Sequence, residues 1–268
     1  MLKDITLGQY FPGTTVAHKL DPRTKILLVV LYIVALFCAK GVVGYALMAL
    51  CLAACVRISK VGIKQLMRGL KPVLFIIIFT GLLNLFFTPG DTYLLEWGFL
   101  RISMEGLRNA VFMVLRVMLL IMGTFLMTYT TSPISLTDGL ERLLNGLKRF
   151  HVPVHELAMM MSIALRFIPT LIEETDKIMS AQKARGADFE SGNIIQKAKA
   201  LIPILVPLFI SAFRRADELA TAMECRCYHG GEGRTKLHVL KYQRRDYIAL
   251  TIGILVVAVI LTLRHFGL

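Results

Sequence analysis

The sequence predicts an all-α integral membrane protein: four transmembrane helices, a cytoplasmic helical domain, then a fifth transmembrane helix. Three observations carry this reading. The 268 residues are 56% hydrophobic, which would leave a soluble domain with too much exposed apolar surface. Apolar runs of spanning length fall in two blocks, four before a long polar insert and one after it. Finally, 26 of the 31 Lys and Arg residues lie in segments on one side of those runs, the asymmetry that marks cytoplasmic loops. The resulting divisions are an N-terminal membrane domain over 1–131, the helical domain over 132–246 and a C-terminal transmembrane helix over 247–268.

A span needs about 20 apolar residues, fewer where interfacial residues complete it. The first run is KILLVVLYIVALFCAK (25–40), and GVVGYALMALCLAACV (41–56) follows after a very tight turn. The third is PVLFIIIFTGLLNLFF (72–87). The fourth covers roughly 105–130 and contains AVFMVLRVMLLIMGTFLMTY, and the last is YIALTIGILVVAVILTL (247–263). Lys3, Lys19, Arg23 and Lys25 precede the first run, five more cations fill 57–71, and seventeen lie in the insert. Lys40, Arg101 and Arg264 fall on the opposite side. The chain is therefore expected in the cell (cytoplasmic) membrane as a multi-pass protein, N-terminus cytoplasmic and C-terminus extracellular. The opening MLKDITLGQYFPG lacks the apolar core and cleavage site of a signal peptide. Cys38, Cys51 and Cys55 lie in apolar runs and read as packing residues. Cys225 and Cys227 read as free thiols in a reducing compartment.

The insert reads as helices. SPISLTDGLERLLNGLKRF (132–150) has the look of a short amphipathic helix near the membrane surface. The segment 151–186 starts at a proline and ends at Gly186, the asymmetry of a helix, and Pro169 is expected to kink it. Leu157, Met161, Ala164, Ile168, Leu171, Thr175 and Ile178 recur at threes and fours, with Thr175 a polar break. A second long helix over about 194–227 carries Ile195, Ala198, Ile202, Leu205, Phe209, Ala212, Ala216, Leu219 and Met223 at the same spacing. Pro203 and Pro207 are expected to bend it near its start. The two helices can pack along these stripes. The face at LAMMMSIALRFIPTLI, with Met160 and Met161 within it, is wider than a two-helix seam needs and suits an adaptable partner-binding groove.

Several function classes are disfavoured. Basic residues flank apolar spans without aromatic interleaving, so nucleic acid is not the expected partner. The span interiors hold no Asp or Glu, whereas ion-driven carriers use intramembrane ionisable sites. Only Arg108 and Arg116 lie there; Arg116 reads either as functional or as structurally hydrogen-bonded, with Asn84 a possible neighbour. HGGEGRTK (229–236) lacks phosphate-loop spacing. CRCYH is a weak zinc signal, so no metal and no cofactor is expected. EETD (173–176) reads as a solvated helical face, leaving no evident catalytic pair.

Both long helices end in an arginine between two small residues, SAQKARGADF (180–189) and TAMECRCYHG (221–230). A guanidinium offers a planar, permanently charged fork for carboxylates or carbonyls and suits a helix C-terminus. Two such ends suggest two similar sockets on related cytoplasmic subunits. Together with GQYFPGTTVAHKLDPRTKI (8–26), LRFIPTLIEETDKIMSAQKARG (165–186) and DELATAMECRCYHGGEGRTK (217–236), they give the chain its resemblance, over nearly its whole length, to the EcfT/CbiQ-like transmembrane coupling proteins of energy-coupling factor (ECF) transporters.

The resemblance implies that Ala184, Arg185 and Gly186, and Cys225, Arg226 and Cys227, are two coupling motifs, each docking in one of two ABC-type ATPases. It makes 132–246 a coupling domain. It also implies that Leu157, Met160, Met161, Ala164, Ile168, Leu205, Phe209 and Ala212 grip a membrane S-component that captures a vitamin or metal ion. ATP-driven movement of the tips would then topple the S-component in the lipid bilayer and release its cargo. The chain itself would be no enzyme. Cysteines flank Arg226 where such motifs often read Ala-Arg-Gly, which puts the geometry of that helix end in question, since cysteine takes a left-handed conformation less easily than glycine. An integral membrane enzyme acting on lipids, with the insert as active domain, is the alternative.

Overall fold

The structure is a computed structural model that describes residues 10–88, 93–97, 100–189, 193–230 and 239–266. Its helices are α1 (Pro22–Cys38), α2 (Gly41–Ser59), α3 (Ile63–Phe87), α4 (Met104–Thr130), α5 (Pro133–Leu144), α6 (Val154–Ala184), α7 (Ile194–Glu224) and α8 (Arg244–His265), with a 3₁₀ turn at Asn145–Phe150. A short antiparallel hairpin, β1 (Tyr93–Trp97) and β2 (Leu100–Ser103), joins α3 to α4 with Glu96 opposite Arg101. Sequence reasoning gave only helices and loops there. Most of the GGEGRTK loop lies outside the described residues.

The expected four-plus-one arrangement of spans does not stand. Among the described residues six helices are long and apolar enough to cross a membrane: α2, α3, α4, α6, α7 and α8. Two of them, α6 and α7, fall in the segment taken for a polar cytoplasmic insert. The reason is how charge is distributed along them. Val154–Ile172 carries only Glu156 and Arg166 as Asp, Glu, Lys or Arg, and α6 gathers its other charges from Glu173 onward. In α7, Lys197 and Lys199 are followed by an uncharged stretch up to Arg214. Averaging over the whole insert hid these apolar halves. Conversely α1, the expected first span, has 17 residues and is not among these six.

The chain divides into two units, Gly8–Gly139 with Leu240–Leu268 and a second over Leu140–Val239. In the first, α4 packs against α1, α2 and α3, and α8 against α1. Ala35, Leu36, Tyr45, Met48, Leu119 and Ile260 form its buried centre. Gly123 lets α4 approach α1: a Cβ there would stand 2.5 Å from the Tyr32 ring. The Tyr32 hydroxyl donates to the Leu119 carbonyl at 3.0 Å. Phe75, Ile76, Ile78 and Phe79 on α3 stay exposed, as a lipid-facing surface requires.

Polar residues fix the helix starts. Asp21 caps α1, its Oδ1 accepting from the Arg23 amide at 2.9 Å ahead of Pro22. Asp246, 1% exposed, caps α8 by accepting from the Gln243 amide, and its other oxygen accepts from the Asp21 amide at 2.8 Å. One carboxylate thus ties the start of α8 to that of α1. Lys25 donates to the Thr130 carbonyl at 2.8 Å, fastening α1 to the end of α4. α3 begins nine residues before the apolar run, so the expected loop 57–71 is largely helix, and Pro72 sits inside it. Pro169 likewise lies within α6, and Pro203 and Pro207 within α7.

Candidate functional site

The second unit holds every residue the sequence assigned to coupling or to the gripping face. α6 and α7 are 31 residues each, about 46 Å long at 1.5 Å per residue. They touch each other, and Glu174 of α6 pairs with Arg215 of α7 at 2.6 Å. EETD is therefore not simply a solvated face. On the α6 stripe, Leu157, Met161 and Ala164 are exposed, while Ile168, Leu171, Thr175 and Ile178 are half-buried. On the α7 stripe, Ile195, Ala198, Ile202, Leu205, Phe209 and Ala216 are exposed, and Ala212, Leu219 and Met223 half-buried. The stripes do not zip along their length. The α6 stripe is half-buried on either side of Glu174, and both stripes are largely bare in their first halves.

The two helix ends share one hydrogen-bond pattern. After Ala184, Arg185 has φ −85° and ψ 6°, and Gly186 turns left-handed at φ 86°. The Gly186 amide donates to the Lys183 carbonyl at 3.0 Å and the Ala187 amide to that of Gln182 at 3.0 Å, a Schellman end. After Glu224, Cys225 is helical and Cys227 is left-handed at φ 53°. The Cys227 amide donates to the Glu224 carbonyl at 2.8 Å and the Tyr228 amide to that of Met223 at 3.0 Å. Arg185 and Arg226 therefore occupy the same cap position. The cysteine does adopt the conformation that a glycine takes at the first end, at a cost of about 1–2 kcal/mol for a residue with a Cβ.

Both arginine side chains are exposed, as are Ala184, Gly186, Cys225 and Cys227. Among the described residues neither guanidinium has a hydrogen-bonding or ionic partner. Each sits where the helix dipole is negative, which stabilises a cation by about 0.3–1 kcal/mol. Each stands eleven residues beyond its helix's partner in the Glu174–Arg215 pair, about 16 Å along the axis. The two arginines are thus equally far along their helices from the ion pair.

Of the residues assigned to a gripping face, Leu157, Met160, Met161, Ala164, Leu205 and Phe209 are exposed, and Ile168 and Ala212 half-buried. Phe209 stacks on Phe213 with ring centres 6.5 Å apart. Glu174, Arg215 and Tyr228 were not singled out as site residues. Only the offset shared by Tyr228 and Ala187 from their arginines could have flagged the last.

Comparison with known proteins gives consistent matches. A family model described as "CbiQ: Cobalt transport protein" matches residues 13–237. The energy-coupling factor transporter transmembrane protein EcfT of Ruminiclostridium cellulolyticum is 55% identical over 257 residues, 96% of this chain and 95% of that protein. The protein of the same description from Clostridium kluyveri is 56% identical over 260 residues, 97% and 96% of the two chains. That from Bacillus subtilis is 48% identical over 264 residues, 98% and 100%.

Proposed function

Because the chain belongs to the EcfT/CbiQ-like family of transmembrane proteins of ECF-type transporters, we propose that its two arginine-tipped helices seat in two ABC-type ATPases and turn their motion into movement of a membrane S-component. The chain is the non-catalytic transmembrane coupling subunit of such a transporter. None of the relatives supports the lipid-enzyme alternative.

Ala184, Arg185 and Gly186 enter one ATPase, and Cys225, Arg226 and Cys227 the other. The observation that carries this reading is the identical Schellman end placing both guanidiniums, exposed, one residue before a left-handed turn. Residues 132–246 act as the coupling domain, with its tips in the cytoplasm. The excess of Lys and Arg supports placing the N-terminal segment on that side.

Mechanically, the pair is a scissors. Glu174–Arg215 marks the crossing, with about 16 Å to each tip and about 30 Å to the far end of each helix. Rotation about the crossing moves the far ends about twice as far as the tips. No proline interrupts α6 after Pro169 or α7 after Pro207, so the tip arms keep their full hydrogen-bond ladders. The longer arms carry all three prolines, each removing one backbone donor. Stiff tips take the load, and compliant arms present Leu157, Met160, Met161, Ala164, Ile168, Leu205, Phe209 and Ala212 to the S-component, which carries the vitamin or metal-ion cargo.

The test is copurification of ABC-type ATPases with the chain in mild detergent, read by mass spectrometry, for wild type and for Arg185→Ala with Arg226→Ala. Each substitution takes from the fold at most about 1 kcal/mol of dipole stabilisation. Truncating a buried, hydrogen-bonded charge in a socket costs about 2–5 kcal/mol of binding, about thirtyfold or more. Membrane insertion is expected to persist while ATPase retention and ATP-driven uptake collapse. Full retention and uptake in the double variant would refute the docking role.

A further inference from the structure

The first unit holds a cavity that the coupling role does not use. Where α1 hands over to α2, beside α4 and the end of α3, there is a cavity of about 620 Å³. Lys40, Arg108 and Arg116 line it, with Asn84 and Asn109, and among the described residues no Asp or Glu lines it. Arg108 and Arg116 are eight residues apart on α4, so they stand on one face. The N-terminus of α2 opens into the same space at Gly41 and has no side-chain cap.

Arg116 makes the charge imbalance acute. It stands twelve residues into α4, about 18 Å along the helix, at a depth where a cation is costly unless compensated. Its Nε donates to the Tyr45 hydroxyl at 2.8 Å, and its guanidinium lies 5.6 Å from the Phe37 ring centre and 5.8 Å from that of Tyr45. Tyr45 is buried and stacked on Phe112. These contacts orient the guanidinium but supply no negative charge, and its two terminal nitrogens have no partner among the described residues. Asn84 spends one amide hydrogen on the Thr80 carbonyl, leaving its other groups available.

The geometry points to an oxyanion site of the phosphate class, in which Arg116 reaches the anion from the depth of the cavity and Lys40 and Arg108 close over it from the rim. The uncapped α2 end adds donors of the right sign. Apolar walls from Val42, Phe112 and Met113 accompany the polar groups, and the volume exceeds that of a bare phosphate, so a phosphate ester with hydrocarbon attached fits the lining. A phospholipid headgroup and free inorganic phosphate share this chemistry.

The experiment uses the full chain with its copurifying subunits. In one arm it is placed in phosphatidylcholine nanodiscs with and without phosphatidylglycerol, and retained phosphatidylglycerol is counted by native mass spectrometry. In the other, inorganic phosphate is titrated in a neutral detergent and followed by thermal shift. The decisive variant is Lys40→Gln with Arg108→Gln, because both side chains are exposed and no described contact of the fold depends on them. Arg116→Lys, which keeps the charge but loses the fork, is the second. Saturable binding that the double variant weakens by about tenfold or more, as loss of charge-assisted hydrogen bonds does, supports the site. Phosphatidylglycerol alone then identifies a headgroup, and response to inorganic phosphate identifies a soluble anion. Binding of neither, or equal binding by wild type and the double variant, overturns the proposal and leaves Arg116 as a structural partner of Tyr45.

Discussion

Cys227→Gly tests whether the second helix end is a strained copy of the first. Cys227 is held at φ 53° and Gly186 at φ 86°. A residue with a Cβ is about 1–2 kcal/mol less stable there than in a right-handed conformation. Glycine escapes that penalty but loses more chain entropy on ordering, about 0.5–1 kcal/mol. The net gain for Cys227→Gly is about 1 kcal/mol, close to fivefold in a local opening equilibrium. The reporter is the Tyr228 amide, which donates to the Met223 carbonyl at 3.0 Å only while the turn is formed. Hydrogen exchange over 221–230 is therefore expected to slow about fivefold in Cys227→Gly. In Cys227→Ala it should stay at the wild-type rate, because alanine carries the same conformational penalty. The mirror experiment is Gly186→Ala. A Cβ there meets nothing within 4 Å, so only the backbone conformation opposes it, and exchange at Ala187 should quicken by a similar factor. ATPase retention should survive Cys227→Gly, since the cap geometry is kept. If Cys227→Gly exchanges no more slowly than wild type, or if alanine slows exchange equally, the strain argument fails.

Three further outcomes are expected. Met160→Glu or Ala164→Glu, at exposed positions of α6, should cut S-component pull-down by about tenfold or more, because a charge buried in an apolar contact without a partner is costly; unchanged yields would move the grip elsewhere. A double-mutant cycle on Glu174→Ala and Arg215→Ala should return a coupling of about 0.5–1 kcal/mol, modest because both side chains are partly solvated, together with reduced uptake per ATP; a zero coupling would remove the pair as the crossing clasp. The segment around His18 should loosen on acidification, seen as faster proteolysis between residues 10 and 20. Burial pushes the His18 imidazole below its ordinary 6.5, with the Lys25 charge adding to the effect and the hydrogen bond to Phe11 opposing it. The folded segment thus prefers neutral His18: its contribution is present above about 6.5 and fades as pH falls below that. His18→Gln should abolish the pH dependence.

What the sequence determined by itself is the local part. The starts and ends of α6 and α7, the arginines at their tips and the excess of cations on one side all follow from capping, helical period and composition, which act between residues a few positions apart. The number of helices able to cross a membrane was not settled by summed composition, because apolar and charged halves within α6 and α7 cancelled in the total. Tertiary structure alone decided where the long helices meet. Glu174 and Arg215 are 41 residues apart, and nothing in the charge pattern distinguishes that pair from the other acid–base pairs the helices could have formed. It decided that Arg116 bonds Tyr45, 71 residues away, because α2 packs against α4, while Asn84, the neighbour the sequence suggested, lines the same cavity. It also decided that Cys227 goes left-handed, because there two hydrogen bonds to Glu224 and Met223 outweigh a conformational cost that, in sequence, argued against the turn.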